Sequence, residues 1–413
     1  MPMKIAFVNQ PLDMLIPPYQ NSIGIWTYKV APQVAKSQDV LVYGKRNNLQ
    51  KSWNGQKDVS YHFMQPVIPN KIMLNQLGKL RRDDKLPLYA SRLYYGDYAS
   101  QIGLSLRKEK AQVIHIHNFT QFVPIIRTLN PKAKIVLHMN CEWLNQLDYG
   151  VMEQRIEQSD LILGSSNYIA ELARQRYPHY ADRCNTIYNG VDTDIFAPEA
   201  NNGADAAAKE KRLLFVGRVS PEKGIHDLIE AFCLVAEKCP EAVLDIAGPI
   251  GALPSEFIVG VSDDPLVAGL ARFYHEDYGE TLQKMVPEHL KNRVNFLGGM
   301  GQSELVKHYR NTAVLVNPSY SESFGMSLVE AMACEKPVVA TRAGGMVEIV
   351  GDGRAGRLVD RGDIPALADA IVGLLADDAL RARMGKAGRL DVIDRFSWPQ
   401  VAKRLIAHYE ALF

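Results

Sequence analysis

Several common features are missing from this sequence, and each absence excludes a class of protein. The five cysteines among 413 residues form no Cys-x-x-Cys pair, so we expect free thiols and a reducing compartment. No apolar run approaches the roughly 18 residues of a membrane-spanning helix, and a net charge of +1 supplies no field for nucleic acid. Residues Met1 to Val8 lack the apolar segment and cleavage site of a secretory signal. We therefore expect a cytoplasmic protein that does not bind nucleic acid.

What the sequence has is a regular alternation of apolar, strand-like runs with helical patterns. This alternation is typical of parallel α/β sheets. The runs with the length and composition of strands are Lys4–Asn9, Val40–Tyr43, Val113–His117, Ile135–His138, Leu161–Ser165, Arg212–Gly217, Val243–Ala247, Val294–Gly298, Ala313–Asn317 and Pro337–Thr341. A chain of 413 residues exceeds what one core usually holds. We therefore expect an α/β protein of two Rossmann-like domains that face each other across a central cleft.

The domain boundaries follow from composition. Residues 198–210 are small and polar, as in a linker, and a fresh strand candidate begins directly after them. We therefore predict a first domain over 1–197 and a second over 211–395. The run 251–291 between two strand candidates is long enough to hold an insertion.

Two carboxylates frame a strand-to-helix turn in the second half of the chain. Glu322 and Glu330 are separated by seven residues, with Phe324 and Gly325 between them. A glycine at the start of a helix lets backbone N–H groups approach a phosphate, and the helix dipole favours the negative charge. A carboxylate on either side of an anion site suits a ligand with phosphate in the middle and hydroxyls at both ends. A nucleotide-sugar has that chemistry.

Two cations lie near the start of the second domain. A strand candidate ends at Gly217, and Arg218 and Lys223 flank the turn into the next helix. Ligands of doubly wound folds bind at such strand ends. Arginine as a bidentate fork and lysine as a point charge can neutralise a diphosphate without a metal. Two solvated surface charges would give the same pattern.

These two segments belong to a longer set of motifs. The others are Thr186–Pro198, Glu330–Cys334, Lys336–Ala340, Gly344-Gly345 and Phe396–Trp398. Together the motifs make the sequence resemble the family 4 retaining glycosyltransferases, which have the GT-B fold. The resemblance spans most of the chain and is strongest over residues 186–350. It implies a donor-binding second domain, an acceptor-binding first domain and a last helix, within 396–413, that packs back on the first domain.

The resemblance also implies roles for individual residues. Glu330 would hold the ribose hydroxyls, Glu322 would contact the transferred sugar, and Arg218 and Lys223 would bind the diphosphate. The backbone of the intervening loop would hold sugar and phosphate, which adds the donor-binding residues Ser323, Phe324, Gly325, Met326, Ser327 and Leu328. The resemblance places His138 beside the reacting carbon of the donor sugar. A histidine at a strand end can also be purely structural.

The sequence departs from the family pattern at several turns. The family has a glycine pair after the first strand, where its backbone approaches phosphate and sugar, whereas this sequence has only Gly24 as a donor-binding candidate. Glu335 stands where a glycine commonly follows Ala-Cys, and the glycine-rich turn after Gly248 is reduced to Pro-Ile-Gly251. The base contacts therefore do not follow from the resemblance. A full Gly-x-Gly-x-x-Gly fingerprint is also missing, which argues against a nicotinamide-dependent dehydrogenase.

Two patterns imitate metal sites. His115 and His117 alternate along one strand and so lie on one face of it. With His138 they could imitate a zinc site, but the usual ligand spacing is absent, and packing or an acceptor contact explains them as well. Asp192 and Asp194 form an Asp-x-Asp pair in a segment where such residues serve turns and caps. We therefore expect no metal, and no cofactor beyond the nucleotide-sugar substrate.

One segment of the first domain combines apolar and basic residues. In Asn70–Arg82, isoleucine, methionine and leucine are mixed with lysine and arginine. A basic amphipathic segment can rest on an anionic membrane beside a lipid-linked acceptor, although an ordinary domain helix has a similar pattern. Peripheral contact with the inner face of a membrane is therefore one expectation.

The predicted function is the transfer of a hexose-type sugar from a nucleotide diphosphate donor, which we expect to be UDP-linked. The acceptor would be a glycan or a lipid-linked molecule, in polysaccharide or glycoconjugate biosynthesis. Retention of configuration follows from the resemblance, in which the leaving phosphate takes the acceptor proton. An inverting GT-B transferase would need a base in the first domain, and Asp13 is available. A nucleotide-sugar epimerase and a non-catalytic protein that binds sugar nucleotides are also compatible with these motifs.

Overall fold

The computed structural model describes residues 2–18, 20–48, 50, 53–66, 85–199, 211–251 and 254–413. Residues 200–210 of the predicted linker and the basic segment Asn70–Arg82 lie outside the described residues. The chain divides into two compact units, Met1–Asn189 with Trp398–Phe413 and Gly190–Ser397. Residues 190–197, which composition placed in the first domain, group with the second unit.

The described part of the first unit is built on a seven-stranded sheet. In chain order its strands are β1 (Lys4–Val8), β2 (Asp39–Lys45), β3 (Val59–Met64), β4 (Val113–His117), β5 (Lys134–Met139), β6 (Leu161–Gly164) and β7 (Cys184–Thr186). Their order across the sheet is β3-β2-β1-β4-β5-β6-β7, and every neighbouring pair is parallel. Parallel neighbours need crossover connections, which helices provide.

The α-helices of the first unit are Ser22–Val34, Gly96–Glu109, Phe122–Leu129, Trp143–Gln146, Tyr149–Glu157, Asn167–Arg176 and the C-terminal Trp398–Glu410. Short 3₁₀ turns are Leu88–Ala90 and Pro178–Arg183. The C-terminal helix is amphipathic, and its buried side chains repeat at helical spacing. Trp398, Val401, Leu405 and Tyr409 pack into the same core as Trp26 of the first helix.

The second unit repeats the plan with a six-stranded parallel sheet in its described residues. The strands are β8 (Arg212–Val216), β9 (Val243–Ala247), β10 (Val294–Gly298), β11 (Val314–Asn317), β12 (Val338–Thr341) and β13 (Gly356–Val359). Their order is β10-β9-β8-β11-β12-β13. The α-helices are Ile225–Lys238, Pro265–Ala268, Tyr278–Met285, Gln302–Asn311, Met326–Ala333, Met346–Val350, Ile364–Ala376 and Asp378–Arg395. The 3₁₀ turns are Pro221–Lys223, Ser255–Phe257, Gly269–Tyr274 and Glu288–Leu290.

Each of the strands predicted from sequence is present, so the prediction of two parallel α/β sheets is confirmed. The sequence did not reveal β3, β7 and β13, which are edge strands of their sheets. An edge strand contacts only one neighbour and buries less apolar surface, so its apolar run is shorter or interrupted by polar residues. No helix in the described ranges combines the length and the apolarity needed to cross a bilayer.

Candidate active site

The turn between β11 and the Met326–Ala333 helix depends on a glycine. Gly325 has φ +106°, in the region that favours glycine. A Cβ atom there would lie 2.9 Å from Leu328 Cδ1. The glycine therefore allows the chain to enter the helix directly from the loop, and the first N–H groups of that helix are available to an anion.

An ion pair joins this loop to the turn after β8. Lys223 Nζ lies 2.7 Å from Glu322 Oε2 although the two residues are 99 positions apart. Their side chains stay 17% and 19% exposed, so a ligand can reach both. The two turns also touch through their backbones, because a Cβ atom on Gly224 would lie 2.2 Å from the Pro318 carbonyl oxygen. The predicted sugar-binding carboxylate and one predicted diphosphate cation are thus direct neighbours.

The second predicted cation is held by a carboxylate that sequence reasoning did not select. Arg218 donates from Nη2 to Glu222 Oε1 at 2.7 Å, and Ser220 Oγ donates to the same oxygen at 2.7 Å. Glu222 is buried, which opposes ionisation, but the charges of Lys223 and Arg218 hold its pKa below the usual value. The guanidinium is therefore held beside the turn. The sequence feature that could have identified Glu222 is its position next to Lys223, in a turn at the end of a strand.

Glu330 has a different environment from Glu322. It lies inside the Met326–Ala333 helix, is only 6% exposed, and accepts a hydrogen bond of 2.6 Å from the Tyr309 hydroxyl. Burial raises the pKa of Glu330 to about 7, against the hydrogen bond from Tyr309, which lowers it. Glu330 therefore changes charge near neutral pH. Tyr309 was not selected from the sequence, where it is one residue of an amphipathic helix.

The side chains of the loop point mainly into the second unit. Phe324 is buried, and its ring meets Phe396 edge-on at 5.6 Å. Ser327 and Leu328 are buried as well, whereas Ser323 and Met326 are half-buried. Buried side chains leave only backbone groups for a ligand, so any contact from Phe324 or Leu328 would come from the main chain.

The predicted insertion, residues 251–291, packs against the loop that holds Glu322. The Tyr320 ring packs against Val259, Val267 and Leu270 of the insertion. Arg361 donates to Asp264 Oδ2 at 2.5 Å and to the Tyr320 carbonyl at 3.1 Å. The described part of the insertion therefore holds in place the residue that lies two positions before Glu322.

In the first unit, the structure buries His138 completely. His138 lies in β5 opposite His117 of β4, and both have essentially no exposed surface. Its Nδ1 is 3.1 Å from His115 Nε2, and its Nε2 is buried with no hydrogen-bond partner among the described residues. Ring nitrogens of these three histidines lie within 4.8 Å of one another. Burial lowers the pKa of each, so all three are neutral at pH 7.

Two further candidates have structural contacts of their own. Gly24 lies in the first turn of the Ser22–Val34 helix, where a Cβ atom would lie 2.0 Å from the Met14 carbonyl oxygen. Packing against Met14 therefore requires a glycine at this position, independently of any ligand. Asp192 Oδ1 accepts from the N–H groups of Asp194 and Ile195 at 3.2 Å, which is the turn expected of this Asp-x-Asp pair.

Comparison with known proteins covers both parts of the chain. The family model described as Glycosyl transferases group 1 matches residues 198–391, and the one described as Glycosyltransferase Family 4 matches residues 67–195. Spore coat protein SA of Bacillus subtilis is 26% identical over 76% of this chain and 82% of its own length. D-inositol 3-phosphate glycosyltransferase of Mycolicibacterium smegmatis is 32% identical over 62% of this chain, but the chain spans only 54% of that protein.

Solved structures of low sequence identity share the whole fold. Sucrose-phosphate synthase from Thermosynechococcus elongatus superposes with a TM-score of 0.74 at 22% identity, over 100% of this chain and 99% of its own. Anabaena HepE, solved in complex with UDP and glucose, has a TM-score of 0.71 at 19% identity, over 99% of this chain and 100% of its own. The predicted GT-B fold is thereby confirmed. The two family matches and the shared fold indicate that the chain is a glycosyltransferase of the GT-B fold.

Proposed function

We propose that the protein transfers a hexose-type sugar from a UDP-sugar to a glycan or lipid-linked acceptor with retention of anomeric configuration. The observation that supports this most directly is the Lys223–Glu322 contact of 2.7 Å. It joins a cation suited to a diphosphate and a carboxylate suited to sugar hydroxyls, at the ends of two neighbouring strands, β8 and β11. Ligands of doubly wound sheets bind at such strand ends.

The chemistry follows from where charge develops. Cleavage of the anomeric C–O bond gives the sugar oxocarbenium character and leaves negative charge on the diphosphate. Positive groups fixed near that charge lower the barrier, because they need no reorganisation during the reaction. Arg218, Lys223 and the first N–H groups of the Met326–Ala333 helix are the groups that we assign to this role. Glu222 and Glu322 hold the two cations in place before the ligand binds.

Three further parts of the proposal have support of different kinds. Bound UDP in HepE, a protein of the same fold, supports a UDP-sugar as donor. Retention rests on the resemblance to the retaining family, in which the leaving phosphate takes the acceptor proton. We assign donor binding to the second domain and acceptor binding to the first. Metal independence, a role in polysaccharide or glycoconjugate biosynthesis and membrane contact through Asn70–Arg82 stay predictions.

An inverting mechanism is the second candidate, because of Asp13. Burial raises the pKa of Asp13 to about 7, although hydrogen bonds from Asn21 and Gln10 lower it. A general base works best with a pKa near the operating pH. However, Asp13 accepts from the Gln10 N–H at 2.8 Å and from the Asn21 amide at 2.9 Å. These contacts indicate that Asp13 organises the loop after β1, and we therefore favour retention.

The proposal is tested in two steps. A thermal-shift screen over nucleotide-sugars identifies the donor, because a ligand that binds the native state raises its apparent stability. Proton NMR of the product formed from that donor and an acceptor then gives the anomer. We expect the anomer of the donor. An inverted product would contradict retention, and an epimerised donor formed without any acceptor would identify an epimerase.

The variant Asp13→Asn separates the two mechanisms. We expect the same anomer and a change in kcat of less than about tenfold, since a missing general base costs about 10²–10⁴. Asp39→Asn, which alters an exposed ion pair with Lys4 in the same unit, is the matched control. A loss of about 10³ in kcat for Asp13→Asn alone would favour the inverting mechanism.

A further inference from the structure

A continuous chain of hydrogen bonds lies under the first helix of the first unit. The Tyr409 hydroxyl is 2.7 Å from His115 Nδ1, and His115 Nε2 is 3.1 Å from His138 Nδ1. Tyr409, His115 and His138 have no exposed surface, and Trp26 stacks on the His115 ring at 5.2 Å. The chain begins on the C-terminal helix and ends at His138 Nε2, which has no partner in the part of the chain that the structure describes.

Both imidazoles in this chain of hydrogen bonds, those of His115 and His138, are neutral at physiological pH. Burial lowers the pKa of His115 and of His138 well below the usual value, and the neighbouring His117 adds to the effect. A neutral imidazole has one N–H donor and one bare acceptor nitrogen. The chemistry that His138 offers to a ligand therefore depends on which of its two nitrogens has the proton.

The Tyr409 hydroxyl determines which atom donates in each hydrogen bond of this chain. The only hydrogen bond that the described residues offer this buried hydroxyl is the one to His115 Nδ1. If His115 Nδ1 donated instead, the tyrosine proton would have no acceptor, which is costly in a buried site. The hydroxyl therefore donates, His115 is protonated at Nε2 and donates to His138 Nδ1, and His138 must be protonated at Nε2.

The tautomer of the third histidine, His117, is fixed by a separate set of hydrogen bonds. Asn9 donates through its amide to the Tyr43 carbonyl at 3.2 Å, so its Oδ1 faces Thr27 and accepts the threonine proton at 2.8 Å. The Thr27 oxygen can then only accept from His117 Nε2, at 3.3 Å. The Asn9–Thr27–His117 chain shares no residue with the Tyr409–His115–His138 chain, so it serves as an internal reference.

We propose that Tyr409, acting through His115, is a positioning residue that fixes His138 as the Nε2–H tautomer. His138 then has a neutral, protonated Nε2 that can donate a hydrogen bond to an uncharged oxygen and is unable to act as a base. The proposal rests on the proposed function for the identity of the ligand. A buried N–H without a partner is unfavourable, so an uncharged ligand oxygen that reaches it gains a hydrogen bond that the described residues do not supply.

The same three rings could instead hold a metal ion, since their nitrogens lie within 4.8 Å of one another. The direct contact of 3.1 Å between His115 Nε2 and His138 Nδ1 is the length of a hydrogen bond, which needs a proton between the two atoms. We therefore assign a hydrogen-bond chain to this cluster, and metal binding becomes an outcome of the test.

The first experiment reads the tautomers directly in the full-length protein. Two-dimensional ¹⁵N–¹H NMR of histidine-labelled protein near neutral pH distinguishes protonated from bare ring nitrogens. We expect a protonated Nε2 and a bare Nδ1 for His138. A protonated Nδ1 would overturn the proposal, and so would Co²⁺ titration that gives the visible absorption of a histidine-bound ion.

The second experiment removes the hydroxyl with Tyr409→Phe. We expect a mixture of tautomers at His115 and His138, an unchanged tautomer at His117, and a fall in kcat of about 3- to 10-fold, the range of one hydrogen bond. Tyr177→Phe is the control, because Tyr177 is also buried but its hydroxyl donates to the Leu144 carbonyl, away from both sets of hydrogen bonds. A single unchanged His138 tautomer in Tyr409→Phe would exclude the positioning role.

The two proposals fail in different ways. If His138→Phe turns over normally, His138 has no part in sugar transfer and this inference loses its ligand, whereas the proposed function, which depends on Lys223 and Glu322, stands. The NMR result does not depend on turnover, so the tautomer assignment is judged separately.

Discussion

The two units place opposite chemistry at equivalent positions of their sheets. Strands β4 and β11 occupy the same place in the two strand orders, beside β1 and β8 respectively. At the end of β4 lies His117, within the cluster of neutral, fully buried imidazoles. After β11 comes the loop that holds Glu322, whose ion pair with Lys223 stays partly exposed.

This difference shows that one sheet topology can hold charged, paired side chains in one unit and neutral, buried ones in the other. Charged groups after β8 and β11 are paired with oppositely charged partners, so they suit a ligand that is itself charged. The imidazoles of the first unit lost their charge on burial, so they suit an uncharged ligand group such as a hydroxyl. Burial and pairing, rather than strand position, therefore decide what each site can bind.

The largest effect is expected when the charged cluster of Arg218, Glu222, Lys223 and Glu322 loses its lysine. For Lys223→Ala we expect kcat to fall by about 10²–10³, as when one fixed donor to a developing negative charge is removed. UDP binding should weaken as well, because the diphosphate would lose a cation and Glu322 would lose its Lys223 partner. Steady-state kinetics and calorimetry with UDP measure the two effects.

Lys238→Ala is the matched control for this variant. Lys238 lies at the other end of the helix that follows Lys223, in an exposed ion pair with Asp369. Such exposed pairs contribute little, so turnover should be unchanged. A folded Lys223→Ala protein with normal kinetics would contradict the assignment of Lys223 to the diphosphate.

Sequence reasoning located the charged cluster because its residues lie in turns next to buried strands. Arg218, Lys223 and Glu322 were selected from such turns, and the structure brings Lys223 and Glu322 into contact. The supporting residues were not predictable in this way. Tyr309 and Tyr320 occur within segments of ordinary pattern, and only their long-range contacts, to Glu330 and to Asp227, give them a role.

The histidine cluster shows a different limit of prediction from sequence. Alternation placed His115 and His117 on one face of β4 and suggested a grouping with His138, which the register of the sheet places opposite His117. Nothing in the local sequence indicated Tyr409, which is 294 residues away from His115. A hydrogen-bond chain between distant elements depends on packing, and packing is not encoded in the pattern of any single segment.

Acidification should destabilise the first unit more than the second. A buried histidine whose folded pKa is depressed contributes stability above its unfolded pKa of about 6.5 and loses it as the pH falls below that value. Each of the three buried imidazoles should therefore cost about 1.4 kcal/mol between pH 7.5 and 5.5. The raised pKa of Asp13, about 7, has the opposite sign and offsets part of this loss.

The second unit should lose less stability than the first as the pH falls. There, burial lowers the pKa of His226 to about 4, whereas the pKa of Glu330 is raised to about 7. A carboxyl with a raised folded pKa gains stability as the pH falls, so the two effects oppose each other. Peptide-resolved hydrogen–deuterium exchange at both pH values, corrected for intrinsic rates, should show greater loss of protection in the first unit. Equal losses in the two units would contradict the neutral histidine cluster.

The smallest expected effect concerns Glu330, the one buried carboxyl of the candidate charged site that titrates near neutrality. For Glu330→Gln we expect UDP to bind about fivefold more weakly at pH 8, because an ionised carboxylate accepts stronger hydrogen bonds from ribose hydroxyls than an amide does. At pH 6 the wild-type carboxyl is mostly protonated, so the penalty should shrink. Calorimetry at both pH values measures it, with Glu304→Gln on an exposed helix position as control. A penalty independent of pH would mean that Glu330 does not change charge in this range, and no penalty at all would make its contact with Tyr309 purely structural.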